Sequence, residues 1–286
     1  MTGTMAQQEL RRMLEGMYDP RESANIADLV MEKVTGMDRT SRVVHKHREL
    51  SPEQEADLQR YSEDLQKGRP VQYVIDEAWF AGMPFHVNEN VLIPRPETEE
   101  LVEWAVEELG KNGLAGTRIL DMGTGSGCLA ISLNKKLPRT QVTAVDKSHA
   151  ALQVAALNAQ ELGAQIEFRE LDFLDRSTWP SLGTFDLVIS NPPYVPIRDK
   201  ASMAPNVLDH EPHLALFVEN DDPLLFFRAL AEFGNEHLME GGLLLCEIHE
   251  ELGREVSMLL ELHGYRNVEI KRDFQGKDRM VIGYRL

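Results

Sequence analysis

Apolar positions along this chain change their spacing twice, and each change marks a different kind of structure. Up to about residue 70 the spacing is helical. Ile26, Leu29, Val30 and Val34 share one face, and Ser51-Pro52-Glu53-Gln54 opens a further helix with an N-cap serine, a first-turn proline and a capping-box glutamine. From Gln72 to Ile93 the pattern turns β-like: Tyr73-Val74-Ile75, Ala78-Trp79-Phe80 and Pro84-Phe85-His86-Val87 are strand-prone pieces divided by Gly82 and Asn88-Glu89-Asn90. A β-hairpin linker is expected there. Beyond it, apolar runs alternate with helical stretches. Leu101, Val102, Ala105, Val106 and Leu109 line one helix face ending near Gly110, and strands are expected over 118–122, 141–145, 165–169, 185–190 and 241–248. A helix should run from Asp222-Pro223 to about Met239, and Asn267–Lys271 and Met280–Tyr284 close the chain as two strands with no helix between them.

Seven strands alternating with helices and ending in a hairpin predict an α/β fold. Its core should be a doubly wound, mainly parallel sheet with one antiparallel strand near the edge. The boundaries give a helical domain over 1–71, a hairpin linker over 72–95 and a catalytic domain over 96–286. The helical domain suits recognition of a partner, or equally a cap that stabilises the rest.

Ligands of such sheets gather beyond the carboxyl ends of the strands, so the residues that follow each strand are the candidate site. After the first comes Gly123-Thr124-Gly125-Ser126-Gly127, preceded by Asp121. Its glycines permit positive φ and close approach to a ligand. The run lacks the lysine and hydroxyl pair of a P-loop, and its spacing differs from the dinucleotide fingerprint. The second strand ends at Asp146, about 20 residues past the last glycine, where a carboxylate can accept from both hydroxyls of a ribose. The third leads to Asp172-Phe173, a carboxylate and a ring able to hold adenine. Each acid taken alone is more commonly a cap or turn residue. The fourth strand runs into Asn191-Pro192-Pro193-Tyr194. Two prolines stiffen this turn and remove donors, so the Asn191 amide and the Pro192 carbonyl can be set against the two N–H bonds of a planar nitrogen. Alone it could be no more than a proline-rich turn. The four strand ends together point to S-adenosyl-L-methionine as the ligand, with Asn191 and Pro192 placed for methyl transfer.

Composition narrows the classes further. The chain has 286 residues, 42% of them hydrophobic, enough to bury a full core. Its two cysteines, Cys128 and Cys246, lie in apolar segments and are expected to be buried thiols. The nine histidines form no metal motif, and no metal site is expected. A net charge of −17 argues against broad capture of nucleic acid, and the first 70 residues carry little of it, with 13 acidic and 11 basic side chains. No signal peptide or membrane span is visible, so a cytoplasmic location is the expectation, and the chain is expected to be a monomer.

Several longer motifs carry a more specific signal: Ile93-Pro94-Arg95-Pro96-Glu97-Thr98-Glu99, Asp121 with its glycine run, Asn191-Pro192-Pro193-Tyr194, Glu211-Pro212 with Ala215-Leu216, and Asp273-Phe274 with Gly276-Lys277-Asp278-Arg279. In these the chain resembles the glutamine methyltransferases that modify peptide chain release factors, from the hairpin to the C-terminus. The resemblance implies a class I methyltransferase acting on the glutamine of a Gly-Gly-Gln loop. It places Gly123 to Gly127 at the methionine part of the cofactor, Asp146 at the ribose, Asp172 and Phe173 near adenine, and Asn191 to Tyr194 at the substrate amide. Phe85, Pro94 and Glu97 would wall the substrate entrance. Two places depart from the pattern: Val218-Glu219-Asn220-Asp221-Asp222 and His249, where relatives often carry glycines. A sibling acting on a ribosomal-protein glutamine, an adenine-amino DNA methyltransferase and a noncatalytic cofactor-binding protein are the alternatives.

Overall fold

Capping side chains and apolar stripes set the first helices. In the computed structural model, which describes residues 1–111 and 116–286, α1 (Gly3–Leu14), α2 (Pro20–Thr35), α3 (Arg39–Val44) and α4 (Pro52–Gln66) each start on a side chain that accepts from the first turn. Ser51 and Gln54 bond reciprocally at the head of α4. Leu14, Val30, Met31 and Leu65 are fully buried in one cluster, whereas Leu29 faces outward.

Tyr73-Val74-Ile75 is not a strand. It falls on a single helical turn, α5 (Val71–Val74), that follows Pro70. Proline presets φ for a helix start, and burial of Val71, Tyr73 and Val74 outweighs their β-propensity. The chain divides into two compact units, Met1–Glu77 with Ala204–His210, and Ala78–Met203 with Glu211–Leu286.

The second unit opens with β1 (Ala78–Phe80) and β2 (Met83–Phe85), an antiparallel hairpin turned at Ala81 and Gly82, both at positive φ. There follow α6 (Pro96–Gly110), β3 (Arg118–Met122), α7 (Cys128–Lys136), β4 (Gln141–Asp146), α8 (His149–Leu162), β5 (Ile166–Glu170) and β6 (Phe185–Ser190). A short parallel pair, β7 (Val195–Pro196) and β8 (Phe217–Val218), flanks α9 (Pro205–His210) and α10 (His213–Leu216) in the chain. Last come α11 (Leu225–His237), β9 (Leu238–Glu247), α12 (Gly253–Leu262), β10 (Arg266–Arg272) and β11 (Asp278–Tyr284).

Seven strands form one sheet in the order β10-β11-β9-β6-β3-β4-β5, and only β11 runs against its neighbours. Both faces are covered. Ile119, Leu187, Leu243 and Ile282 pack with α6 and α7 on one side, while Leu120, Val188, Leu244 and Val281 pack with α11 and α12 on the other. Such double burial is why these strands read as continuous apolar runs rather than alternating ones. The chain lays β4 and β5 to one side of β3 and then crosses to place β6 on the other. Between β3 and β6 lies the switch point, where a doubly wound sheet opens a crevice at the carboxyl ends of its strands. Among the described residues, no helix is long and apolar enough to cross a membrane, and no cluster of histidine, cysteine and acidic side chains could hold a metal ion.

Candidate active site

The crevice is a cavity of about 210 Å³ at the carboxyl ends of β3, β4 and β6 and the chain following β5. Gly123 to Ser126, Asp146, Asp172, Phe173, Asn191, Pro192, Pro193 and Pro94 all line it. Four other expected site residues do not. Gly127 sits behind the loop at φ +82°, where an added Cβ would fall 2.9 Å from Ile131 Cδ1 and 3.2 Å from Ala155 Cβ, so its role is to let α7 pack close to α8. Tyr194 and Glu97 are partly buried outside the lining, and Glu97 accepts from Gln275 Nε2 at 3.0 Å. Phe85 requires a correction. It is fully buried, edge-on to Phe80 with ring centres 6.0 Å apart, and cannot wall a substrate entrance because hairpin packing covers the whole ring.

The glycine loop is shaped by two carboxylates. Asp121 is wholly buried at the end of β3, and its Oδ2 accepts from Thr124 Oγ1 at 2.6 Å and from the Ala130 amide at 3.2 Å. Its Oδ1 has no hydrogen-bond partner. Burial pushes this carboxyl up to about 7, against the pull of those two bonds. Asp146 accepts from the Gly125 amide at 2.9 Å through Oδ2 and from the Ser148 amide at 2.8 Å through Oδ1. Burial raises its carboxyl above the usual range, opposed by these backbone donors. Each oxygen retains a lone pair for another donor. Asp172 pairs with Lys147 at 2.7 Å, which holds its carboxyl low. Phe173 is backed by Trp179, stacked with ring centres 5.5 Å apart, and by Phe233, edge-on at 5.5 Å.

Asn191 follows β6. Its Nδ2 donates to Thr98 Oγ1 at 3.2 Å, and no described residue donates to its Oδ1. Thr98, in the first turn of α6, donates in turn to Glu247 Oε2 at 2.6 Å, while Tyr194 donates to Glu247 Oε1 at 2.8 Å. Glu247, at the end of β9, is almost wholly buried. Burial raises its carboxyl, and the Thr98 and Tyr194 hydroxyls and the nearby Arg279 guanidinium oppose the rise. Arg279 is anchored to Asp273, whose other oxygen accepts from the Gln275 and Lys277 amides. Glu211, also buried, receives Arg95 Nη2 at 2.6 Å and the Ile93 amide at 3.3 Å, and so pins the segment leading into α6.

Thr98, Glu247 and Arg279 were not expected to shape the site. A signal for Glu247 existed: an acid that closes the apolar run Leu243-Leu244-Leu245-Cys246 must find partners in the interior. Cys128 lines the cavity, but burial pushes its thiol up to about 12, which leaves no thiolate for nucleophilic work near neutral pH.

Known proteins share long stretches of this sequence. The family model of the methyltransferase small domain matches residues 98–211, and that of the PrmC N-terminal domain matches residues 6–75. A release factor glutamine methyltransferase of Flavobacterium psychrophilum is 41% identical, over 94% of this chain and 94% of its own. One from Bacteroides thetaiotaomicron is 41% identical over 96% and 98%. A solved 16S rRNA N2 G1207 methyltransferase of T. thermophilus matches with a TM-score of 0.52 at 17% identity, over 73% of this chain and 50% of that one, a likeness of fold alone.

Proposed function

Because this chain belongs to the release factor glutamine methyltransferase family, we propose that it moves a methyl group from S-adenosyl-L-methionine to the side-chain amide nitrogen of the glutamine in a release factor's Gly-Gly-Gln loop. One observation carries the assignment of the acceptor. Asn191 sits on the cavity wall with its NH₂ end engaged by Thr98 and its carbonyl oxygen without a protein donor. Pro192 and Pro193 beside it contribute no N–H of their own, so this turn offers carbonyls to whatever enters. Two acceptors suit the two N–H bonds of a carboxamide and repel a carboxylate.

The cavity also fits the cofactor. A loop of small residues at Gly123 to Ser126 leaves room for the methionine end, and the buried Asp121 carboxyl holds that loop from behind through Thr124. Asp146 retains lone pairs for ribose hydroxyls. Phe173, Leu171 and Leu230 supply apolar walls for a base, with Asp172 at its edge. When bound, the sulfonium supplies an activated methyl group.

The protein's own contribution is placement. Asn191 Oδ1 and the Pro192 carbonyl hold the amide nitrogen and polarise its N–H bonds, and much of the barrier is removed by alignment alone. Glu247, the buried carboxylate behind Thr98, is absent from the cavity lining and spends its oxygens on Thr98 and Tyr194. It is a support rather than a base, and the departing proton passes to solvent.

The test is to incubate the protein and methyl-labelled cofactor with a release factor, a ribosomal protein rich in exposed glutamine, and duplex DNA. Label should appear on the Gly-Gly-Gln glutamine and vanish when that residue is changed to glutamate. Label placed with much higher efficiency on the ribosomal protein, or on adenine, would overturn the assignment.

A further inference from the structure

The relay behind Asn191 has a direction, and the direction decides what the site accepts. A threonine hydroxyl has one proton to give. The 2.6 Å contact from Thr98 Oγ1 to the buried Glu247 carboxylate, which also receives the Tyr194 hydroxyl, is where that proton goes. Toward Asn191, at 3.2 Å, Thr98 can therefore only accept. An asparagine amide is nearly symmetric in shape and could otherwise turn over by rotating its terminal torsion. With Thr98 accepting, the NH₂ end is held on the Thr98 side and Oδ1 is turned away from it.

We propose that Thr98 is a positioning residue that fixes the polarity of the site: backed by Glu247, it locks Asn191 with its oxygen toward the acceptor, so the site admits a carboxamide and rejects a carboxylate. This rests on the assignment of Asn191 as the group that receives the substrate amide. Glu247 orients Thr98 as the acceptor of its 2.6 Å hydrogen bond; burial works against a charge on this carboxyl, and the Thr98 and Tyr194 hydroxyls and Arg279 work for it.

Thr98→Val keeps the shape and removes the hydroxyl. The Asn191 amide is then free to present its N–H bonds to a carboxylate. Affinity is measured for a release factor bearing the Gly-Gly-Gln loop and for the same protein bearing Gly-Gly-Glu, together with turnover on the former and cofactor affinity. The parent protein should bind the glutamine form at least roughly tenfold more tightly. In Thr98→Val that ratio should shrink to within about threefold, turnover should fall on the order of a hundredfold, and cofactor affinity should hold. Thr98→Ser, which restores the hydroxyl, should recover both ratio and turnover. If Thr98→Val does not fold, Thr98→Ala serves for the same ratio. A variant lacking the hydroxyl with the parent's preference intact overturns the polarity lock and leaves the methyltransferase assignment standing. A parent that labels no release factor glutamine overturns the assignment itself, and the lock with it.

Discussion

Asn191 on the crevice wall and Asp121 buried behind the glycine loop lead to distinct measurements. Asn191→Ala removes the carbonyl oxygen proposed to accept from the substrate amide while leaving the glycine loop and Asp146 in place. Turnover should drop on the order of a hundredfold or more, with cofactor affinity little changed. Turnover within a few-fold of the parent, measured by methyl transfer to release factor, would remove Asn191 from the chemistry. Asp121 makes a prediction about pH. Its folded carboxyl titrates at about 7, whereas the unfolded chain releases that proton near 4. The folded state therefore gains stability from this group at low pH and loses that gain as pH rises through 7. Between about pH 5.5 and about pH 8 the loss should be about 2 kcal/mol. Urea unfolding of the parent and of Asp121→Asn at both pH values checks it, since the variant should show a flatter dependence.

At the scale of elements, α7 is the piece most tightly tied to the site, because it starts where the glycine loop ends. Gly127→Ala would drive a methyl against Ile131 and Ala155 at a φ of +82°. It should destabilise the protein by about 1–3 kcal/mol, read as a lowered midpoint in denaturant with unchanged slope. Much at this scale was legible in the sequence. The strands over Arg118–Met122 and Phe185–Ser190 have the expected bounds, because local apolar runs, glycines and prolines mark their ends. The turn at Tyr73 was not legible, since burial rather than propensity chose its conformation. Nor was the relay: Thr98 and Glu247 are 149 residues apart, and Asn191 and Thr98 are 93 apart, so only the folded sheet brings them together. Phe85 was misplaced for a related reason. Its hairpin was visible, but not the face on which the ring would be covered.

For the whole molecule the dominant quantity is charge. A net −17 on 286 residues is self-repelling, and many surface ion pairs are too exposed to offset it. Raising salt from about 0.05 to about 0.5 M shortens the screening length severalfold. If this recovers about 1 kcal/mol, the melting temperature should climb by about 2–4 °C. A scanning-calorimetry series in sodium chloride tests this, and a melting temperature that falls with salt would mean that ion pairing already outweighs repulsion.

The aromatic stack behind Phe173 has an optical consequence. Of the three tryptophans, Trp179 stands in that stack at 2% exposure, Trp104 is buried at 5%, and Trp79 on the hairpin is 61% exposed. Iodide can therefore quench one indole and spare two. A near-ultraviolet dichroism band from Trp179, immobilised between Phe173 and Phe233, reports on the packing behind the Phe173 wall of the cavity. Hairpin and cavity wall can thus be followed separately, by light, in one unlabelled sample.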